Sequence, residues 1–159
     1  EEGELESAEV KRLLTKYFQS LKKIIHPELK GFCLRDFVEE TSRTKDAPFQ
    51  VEYWNRMEIE NYLIHPSALL RFVEQKGFVG LFLHPAKDFL ERKLPKAVWD
   101  DPISEDIGRK GSDFLEEFFT TIKLPINKGS YWEIASKMQR NEVHSDIVAM
   151  LDKLNLFLS

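Results

Sequence analysis

The chain has a single cysteine among 159 residues, Cys33, so it can form no disulfide within itself. Set in the apolar run Gly31 to Leu34, that cysteine reads as a small buried hydrophobe of a reducing compartment. No apolar stretch approaches the roughly 20 residues a membrane span requires. The acidic opening, Glu1 to Glu6, is the reverse of a basic signal peptide, and the expectation is a cytoplasmic chain with no membrane partner. There is no glycine-rich phosphate loop of the form G-x-x-x-x-G-K-S/T, no internal repeat and no low-complexity tract, so these residues hold no ATPase of the P-loop kind. The histidines His26, His65, His84 and His144 have no ligand spacing and stand at turns, before proline or serine. With no nucleophile elbow, and no activating neighbour for Cys33, nucleophilic catalysis is excluded. Positive charge is in deficit as well. The formal net charge of -4 leaves only a local basic strip as a route to nucleic acid.

Apolar surface is plentiful: 42% hydrophobic and 12% aromatic residues suffice for one domain of this length to bury a sizeable core. Val10, Leu13, Leu14, Tyr17, Phe18, Leu21, Ile24 and Ile25 recur at helical spacing, and Pro27 ends that helix. Its other face carries Lys11, Arg12, Lys16, Lys22 and Lys23, read first as solvated and second as a DNA contact. Gly31-Phe32-Cys33-Leu34 predicts a strand buried on both faces, closed by Arg35-Asp36. Residues Glu39 to Pro48 read as a loop, and Phe49 to Trp54 alternate as a half-exposed strand. Later segments are helical: Ser67, as cap, to Gln75; Pro85 to Pro95; Ser112 to Ile122; Ser130 to Met138, with a Ser130–Glu133 capping box; and Ser145 to Phe157. Gly77 to Leu83 fits either a strand or a buried helix, and Val98 to Lys110 reads as a surface loop. The fold class expected is α/β, with residues 1–66 an α/β portion and residues 67–159 a helical extension packed on it.

The run Asn55-Arg56-Met57-Glu58-Ile59-Glu60-Asn61-Tyr62-Leu63-Ile64-His65-Pro66 is the most polar chemistry in the chain. Two carboxylates stand two residues apart, behind an arginine and ahead of a proline. Hard divalent cations such as Mg2+ or Mn2+ take carboxylate oxygens, and Asp36, Glu58 and Glu60 are the acids best placed to supply them. Asp36 closes a buried strand, where an α/β sheet presents side chains to its crevice. Lys128, in Pro125-Ile126-Asn127-Lys128-Gly129, is a candidate to neutralise a phosphate. The residues alone favour blander roles: Glu58 paired with Arg56 or a lysine, Glu60 capping or solvating a helix start, and Lys128 solvated. Tyr53, Trp54, Tyr62, Tyr131 and Trp132 are read as packing residues ahead of base-stacking ones. Phe114, Leu115, Phe118, Phe119 and Ile122 form a stripe that is core or an interface.

Arg56-Met57-Glu58-Ile59-Glu60-Asn61-Tyr62-Leu63 followed by Pro66 resembles the R-x-E-I-E-N-Y-L-x-x-P segment of TOPRIM domains in OLD-type proteins, which join an ABC-type ATPase to a nuclease. Lys110 to Leu115 resembles a helix opening of the same region, and Lys128 to Ala135 its K-x-x-Y-x-x-A stretch. The resemblance covers roughly residues 10 to 158 and implies the carboxyl-terminal, TOPRIM-like part of an ATP-dependent DNA endonuclease of phage-defence type. By position it makes Asp36 the first acid of a metal-binding D-x-D pair, Glu58 and Glu60 neighbours of the metal, and Lys128 a phosphate contact. It departs from the pattern at Val38, where the second acid belongs; Glu39 is displaced by one residue, and Glu2-Gly3 follows no strand. The implied partners are DNA, an ATPase domain and a second copy, with Mg2+ or Mn2+ in the parent and no nuclease activity in this chain as it stands. Two other readings are a degenerate module docking through the Phe114 to Ile122 face, and a DNA binder using the basic helix. If the nuclease reading holds, Asp36, Glu58 and Lys128 converge on one cleft.

Overall fold

The computed structural model describes residues 2–37, 45–46 and 49–159, with side chains from residue 12 onward except those of 45–46. Val38, Glu39 and most of the expected loop of residues 39–48 lie outside the described residues. The fold is mixed α/β and mostly helical.

Helix α1 (Glu2–Ile24) ends where the sequence places its stop, with Lys22 and Lys23 in the last turn, at the negative end of the helix dipole. Three strands follow: β1 (Gly31–Arg35), β2 (Lys45–Asp46) and β3 (Phe49–Tyr53), in the order β1-β3-β2. β1 runs parallel to β3, Gly31 opposite Phe49 and Arg35 opposite Tyr53, while β2 is antiparallel to β3.

Side-chain alternation assigns a helix to each sheet face. On one, Phe18 of α1 stacks on Phe49 with ring centroids 5.0 Å apart. On the other, Phe157 meets Phe32 edge-on at 5.5 Å, and Lys153 Nζ donates to Glu52 at 2.8 Å. Covered from both sides, β3 is not the half-exposed strand its alternation predicts: Val51, Glu52 and Tyr53 are all buried. Glu52 is tolerated because Lys153 and Gln50 both donate to it.

The helical body comprises α2 (Pro66–Gln75), α3 (His84–Lys93), α4 (Lys96–Asp100), α5 (Gly111–Thr121), α6 (Trp132–Ala135) and α7 (Ser145–Leu158). His65, not Ser67, stands at the N-cap position of α2, without a side-chain capping bond, and Pro66 takes the first helical position, where its missing N–H costs nothing. Gly77 to Leu83 is neither strand nor buried helix. Positive φ at Gly77 and Gly80 turns the chain into a short 3-10 turn that leaves Leu81 and Phe82 exposed. The Val98 to Lys110 loop is partly helical, since α4 buries Val98. The expected helix from Ser130 to Met138 shrinks to a 3-10 turn and the single turn of α6, without the Ser130–Glu133 box. Glu133 pairs instead with Lys76, and the capping box forms at Gln139 and Glu142.

The core is aromatic. Phe89 packs against Phe114 and Phe118, and Phe72 against Phe119, with centroids 5.3 to 5.6 Å apart. Phe114, Leu115, Phe118 and Phe119 are at most 2% exposed, so this stripe is core and is closed to any docking partner. α7 carries the helical part back to cover the sheet.

Candidate functional site

Segment 55–66 folds into an irregular connection and a 3-10 turn, Ile59–Leu63, and its polar side chains turn inward. Arg56 Nη2 donates to the carbonyls of Ile103 (2.6 Å) and Glu105 (2.8 Å), with the guanidinium over the Tyr62 ring. Asn61, 1% exposed, accepts at Oδ1 from the N–H of Glu58 and of Gly111, and donates from Nδ2 to Asp106 and the Arg109 carbonyl. Every hydrogen-bonding position of that amide is used. Tyr62 Oη accepts from Arg56 N–H and donates to Asp146 Oδ2 at 3.0 Å. Burial first, then Asp146, pushes its pKa up to about 12. Arg56, Asn61 and Tyr62 therefore clamp three distant pieces of chain together: the loop before α5, the start of α5 and the start of α7.

Glu58 does not pair with Arg56. Its Oε2 accepts from Ser112 N–H (3.1 Å) and Oγ (2.5 Å) at the first turn of α5, where a negative charge suits the helix dipole. Lys110 Nζ lies 3.7 Å from its other oxygen. Burial acts to raise its pKa, but the Ser112 hydrogen bonds, with Lys128 and Lys110, hold it below the usual carboxylate range. Lys110 and Ser112 carry no site role in the sequence reading. The signal available was a Lys-Gly-Ser run at a helix start, which needs an acid from elsewhere to be interpreted.

Phe37 N–H donates to the Met57 carbonyl at 3.2 Å, continuing the β1 direction and setting Asp36 beside the acidic segment. Burial, then the charges of Glu58 and Glu60, raise the Asp36 pKa, and Lys128 and Lys110 oppose them. Glu60, 6% exposed, is bonded at Oε1 by Lys128 Nζ at 2.8 Å. That bond comes first in holding Lys128 above its ordinary range; partial burial opposes it, and the charges of Glu60, Glu58 and Asp36 add to it. Asp36, Glu58, Glu60, Lys110 and Lys128 thus form one electrostatic cluster beside the carboxyl end of β1. All four residues singled out from the sequence belong to it.

The oxygen donors are of the kind a hard cation prefers, but their arrangement does not fit one. Among the described residues no group of three or more His, Cys, Asp or Glu is placed to hold a metal ion. Glu58 Oε2 is committed to Ser112 and Glu60 Oε1 to Lys128. The Lys128 ammonium, two-thirds exposed, is the cation these carboxylates share.

The aromatic residues read as packing are buried, except Trp132, which is 69% exposed. His65 and His144 are more than turn residues. Glu142 accepts from Arg71 and Gln139 N–H, with His65 Nδ1 3.7 Å away, and His144 Nδ1 accepts from Asp146 N–H to cap α7. Among the described residues no helix is long and apolar enough to cross a membrane. No family model matches the chain, and neither a curated protein nor a solved structure is significantly similar to it.

Proposed function

We propose that this chain is the later, TOPRIM-like part of an OLD-type ATP-dependent DNA endonuclease, and that it contributes a charged half-site rather than a complete active centre. The observation that carries the reading is the joining of Asp36, Glu58, Glu60 and Lys128 in one cluster at the end of a parallel strand. Asp36 offers a solvent-facing carboxylate, and Glu60 keeps Lys128 protonated where a phosphate oxygen can meet it. Glu58 anchors α5. Because the acids as arranged do not form a metal site, phosphodiester hydrolysis belongs to the parent protein, with Mg2+ or Mn2+ ligands completed by residues beyond those described.

The test uses the protein encoded by the complete reading frame, supercoiled DNA and Mg2+ or Mn2+. Asp36→Asn and Lys128→Met are each expected to slow nicking about 100-fold, the usual cost of losing one charge-stabilising group. Lys23→Met is expected to leave it unchanged. Nicking by the parent that is indifferent to both cluster variants refutes the reading.

A degenerate, non-catalytic module is the second reading, favoured by Val38 at the place of the second acid and by the pairing of Lys128 with Glu60. A parent protein that folds but neither nicks DNA nor takes up Mg2+ in a calorimetric titration selects it.

A further inference from the structure

The start of α5 departs from what helix starts ordinarily require. Lys110 stands at its N-cap position, where Ser, Thr, Asp or Asn is preferred, and it makes no side-chain capping bond. Its charge also lies at the positive end of the helix dipole, the end that favours acids. Glu58, from the preceding segment, supplies what Lys110 does not, accepting from the N–H and hydroxyl of Ser112. Helix formation therefore does not account for the lysine, and functional sites are where such local rules give way.

The backbone that carries Lys110 is fixed from both sides. Asn61 Nδ2 donates to the carbonyl of Arg109 at 2.9 Å, and Asn61 Oδ1 accepts from the N–H of Gly111 at 2.9 Å, so one buried amide holds the residue before and the residue after. Gly111 lies so close to the segment beneath it that a Cβ there would collide with the backbone of Glu60 and Asn61. Asn61 is 1% exposed, whereas the Lys110 side chain is 62% exposed. A rigid, fully paired interior thus presents a solvent-facing cation. Its Nζ stands 3.7 Å from Glu58 Oε1, beyond hydrogen-bond range, while Lys128 is bonded to Glu60 at 2.8 Å. Both lysines act on Asp36 and on Glu58, which places them on one corner.

We infer that Lys110 is a second phosphate-binding residue of this corner, anchoring bound DNA through its backbone beside the contact made by Lys128. The inference rests on the reading of the corner as part of a DNA nuclease and adds to it a residue that binds rather than one that speeds the reaction. An ammonium offers three donors to the anionic oxygens of a phosphodiester, and the Asn61 clamp holds the backbone from which it is offered. Such a contact is made equally to substrate and to transition state, so its loss falls on KM more than on kcat.

Binding of a labelled DNA duplex to the protein encoded by the complete reading frame, followed by fluorescence anisotropy across a salt series without divalent metal, tests it. Lys110→Met is expected to weaken binding about 5- to 10-fold and to lower the slope of log affinity against log salt by about one, the signature of one lost phosphate contact. Lys110→Arg is expected to keep both near the wild-type values, and in nicking assays Lys110→Met to raise KM more than it lowers kcat. An affinity and a salt slope untouched by Lys110→Met overturn the inference, even where Asp36→Asn and Lys128→Met slow nicking. So does a loss that Lys110→Arg does not relieve, or a wild-type protein with no affinity for the duplex. Binding that depends on Lys110 in a protein that never nicks DNA upholds the inference and sinks the nuclease reading instead.

Discussion

The helical body and the sheet flank solve the same problem with unequal success. In the body, α2, α3 and α5 enclose phenylalanines that are at most 2% exposed, and the buried Asn61 amide beside them is paired at both its oxygen and its nitrogen. At the flank, a long helix covers one face of a small sheet with Phe18 its one buried ring among the described side chains, and among the described residues β1 pairs with β3 alone. Leu34 and Phe37, on and just past that edge strand, remain 37% and 44% exposed. The body has a closed interior, although Leu81, Phe82 and Trp132 stand exposed on its surface, whereas the flank has little interior of its own.

The largest test of this contrast lies in the body. Asn61→Ala strands the N–H groups of Glu58 and Gly111 and is expected to cost roughly 3–5 kcal/mol in chemical denaturation. A loss below about 1 kcal/mol breaks the account of the clamp. Phenylalanine truncation compares the two regions directly. Phe118→Ala falls in a closed core and is expected to cost about 3–5 kcal/mol, and Phe18→Ala only about 1–2, because the flank can settle around the gap. Equal losses would make the flank as tightly built as the body.

A smaller effect comes from acid. Burial is the first cause holding both His65 and His144 below the ordinary histidine range. With folded values below unfolded ones, the unfolded chain takes up more protons, so stability is complete above about pH 6.5 and declines as pH falls below it. The lowered carboxylates Glu58 and Glu142 act in the same direction only in the more acidic carboxylate range. Tm is therefore expected to be about 2–4 °C lower at pH 5.5 than at 7.5, and His65→Gln with His144→Asn to flatten the difference. A flat wild-type profile counts against the buried, neutral histidines. The most delicate test is electrostatic. Removing Lys128 as Lys128→Met is expected to raise the Asp36 pKa further, read by carboxyl NMR titration, with little change in stability. An unmoved Asp36 dissolves the cluster.

Much of this architecture was legible one element at a time. Pro27, Pro66 and Pro85 mark helix limits, the phenylalanine stripe of α5 gives a core helix, and the apolar run at Gly31 gives a strand, but not one buried on both faces: as an edge strand among the described residues it leaves Cys33 half-buried and Leu34 37% exposed. The failures are instructive. Phe49 to Trp54 looked half-exposed because alternation cannot reveal that α7 returns from the end of the chain to cover the polar face, where Lys153 answers Glu52. Ser130 to Met138 looked helical because its cap residues suit a helix, but the chain there forms only a 3-10 turn and one helical turn, and Glu133 pairs with Lys76 rather than closing a capping box. At the candidate site the residue types were readable and their division of labour was not. Glu58 and Glu60 are two apart in sequence, yet one is tied to Ser112 and the other to Lys128, and nothing within the segment itself distinguishes them.

The Lys128–Glu60 bond also bears on how the molecule is made. A ribosome releases Asp36, Glu58 and Glu60 well before it releases Lys110 and Lys128, so the acidic corner emerges ahead of the two lysines that come to lie against it. The Lys128–Glu60 bond and the Lys110–Glu58 contact can therefore form only after residues well past the sheet have been made, which ties this corner to late-synthesised segments of the chain.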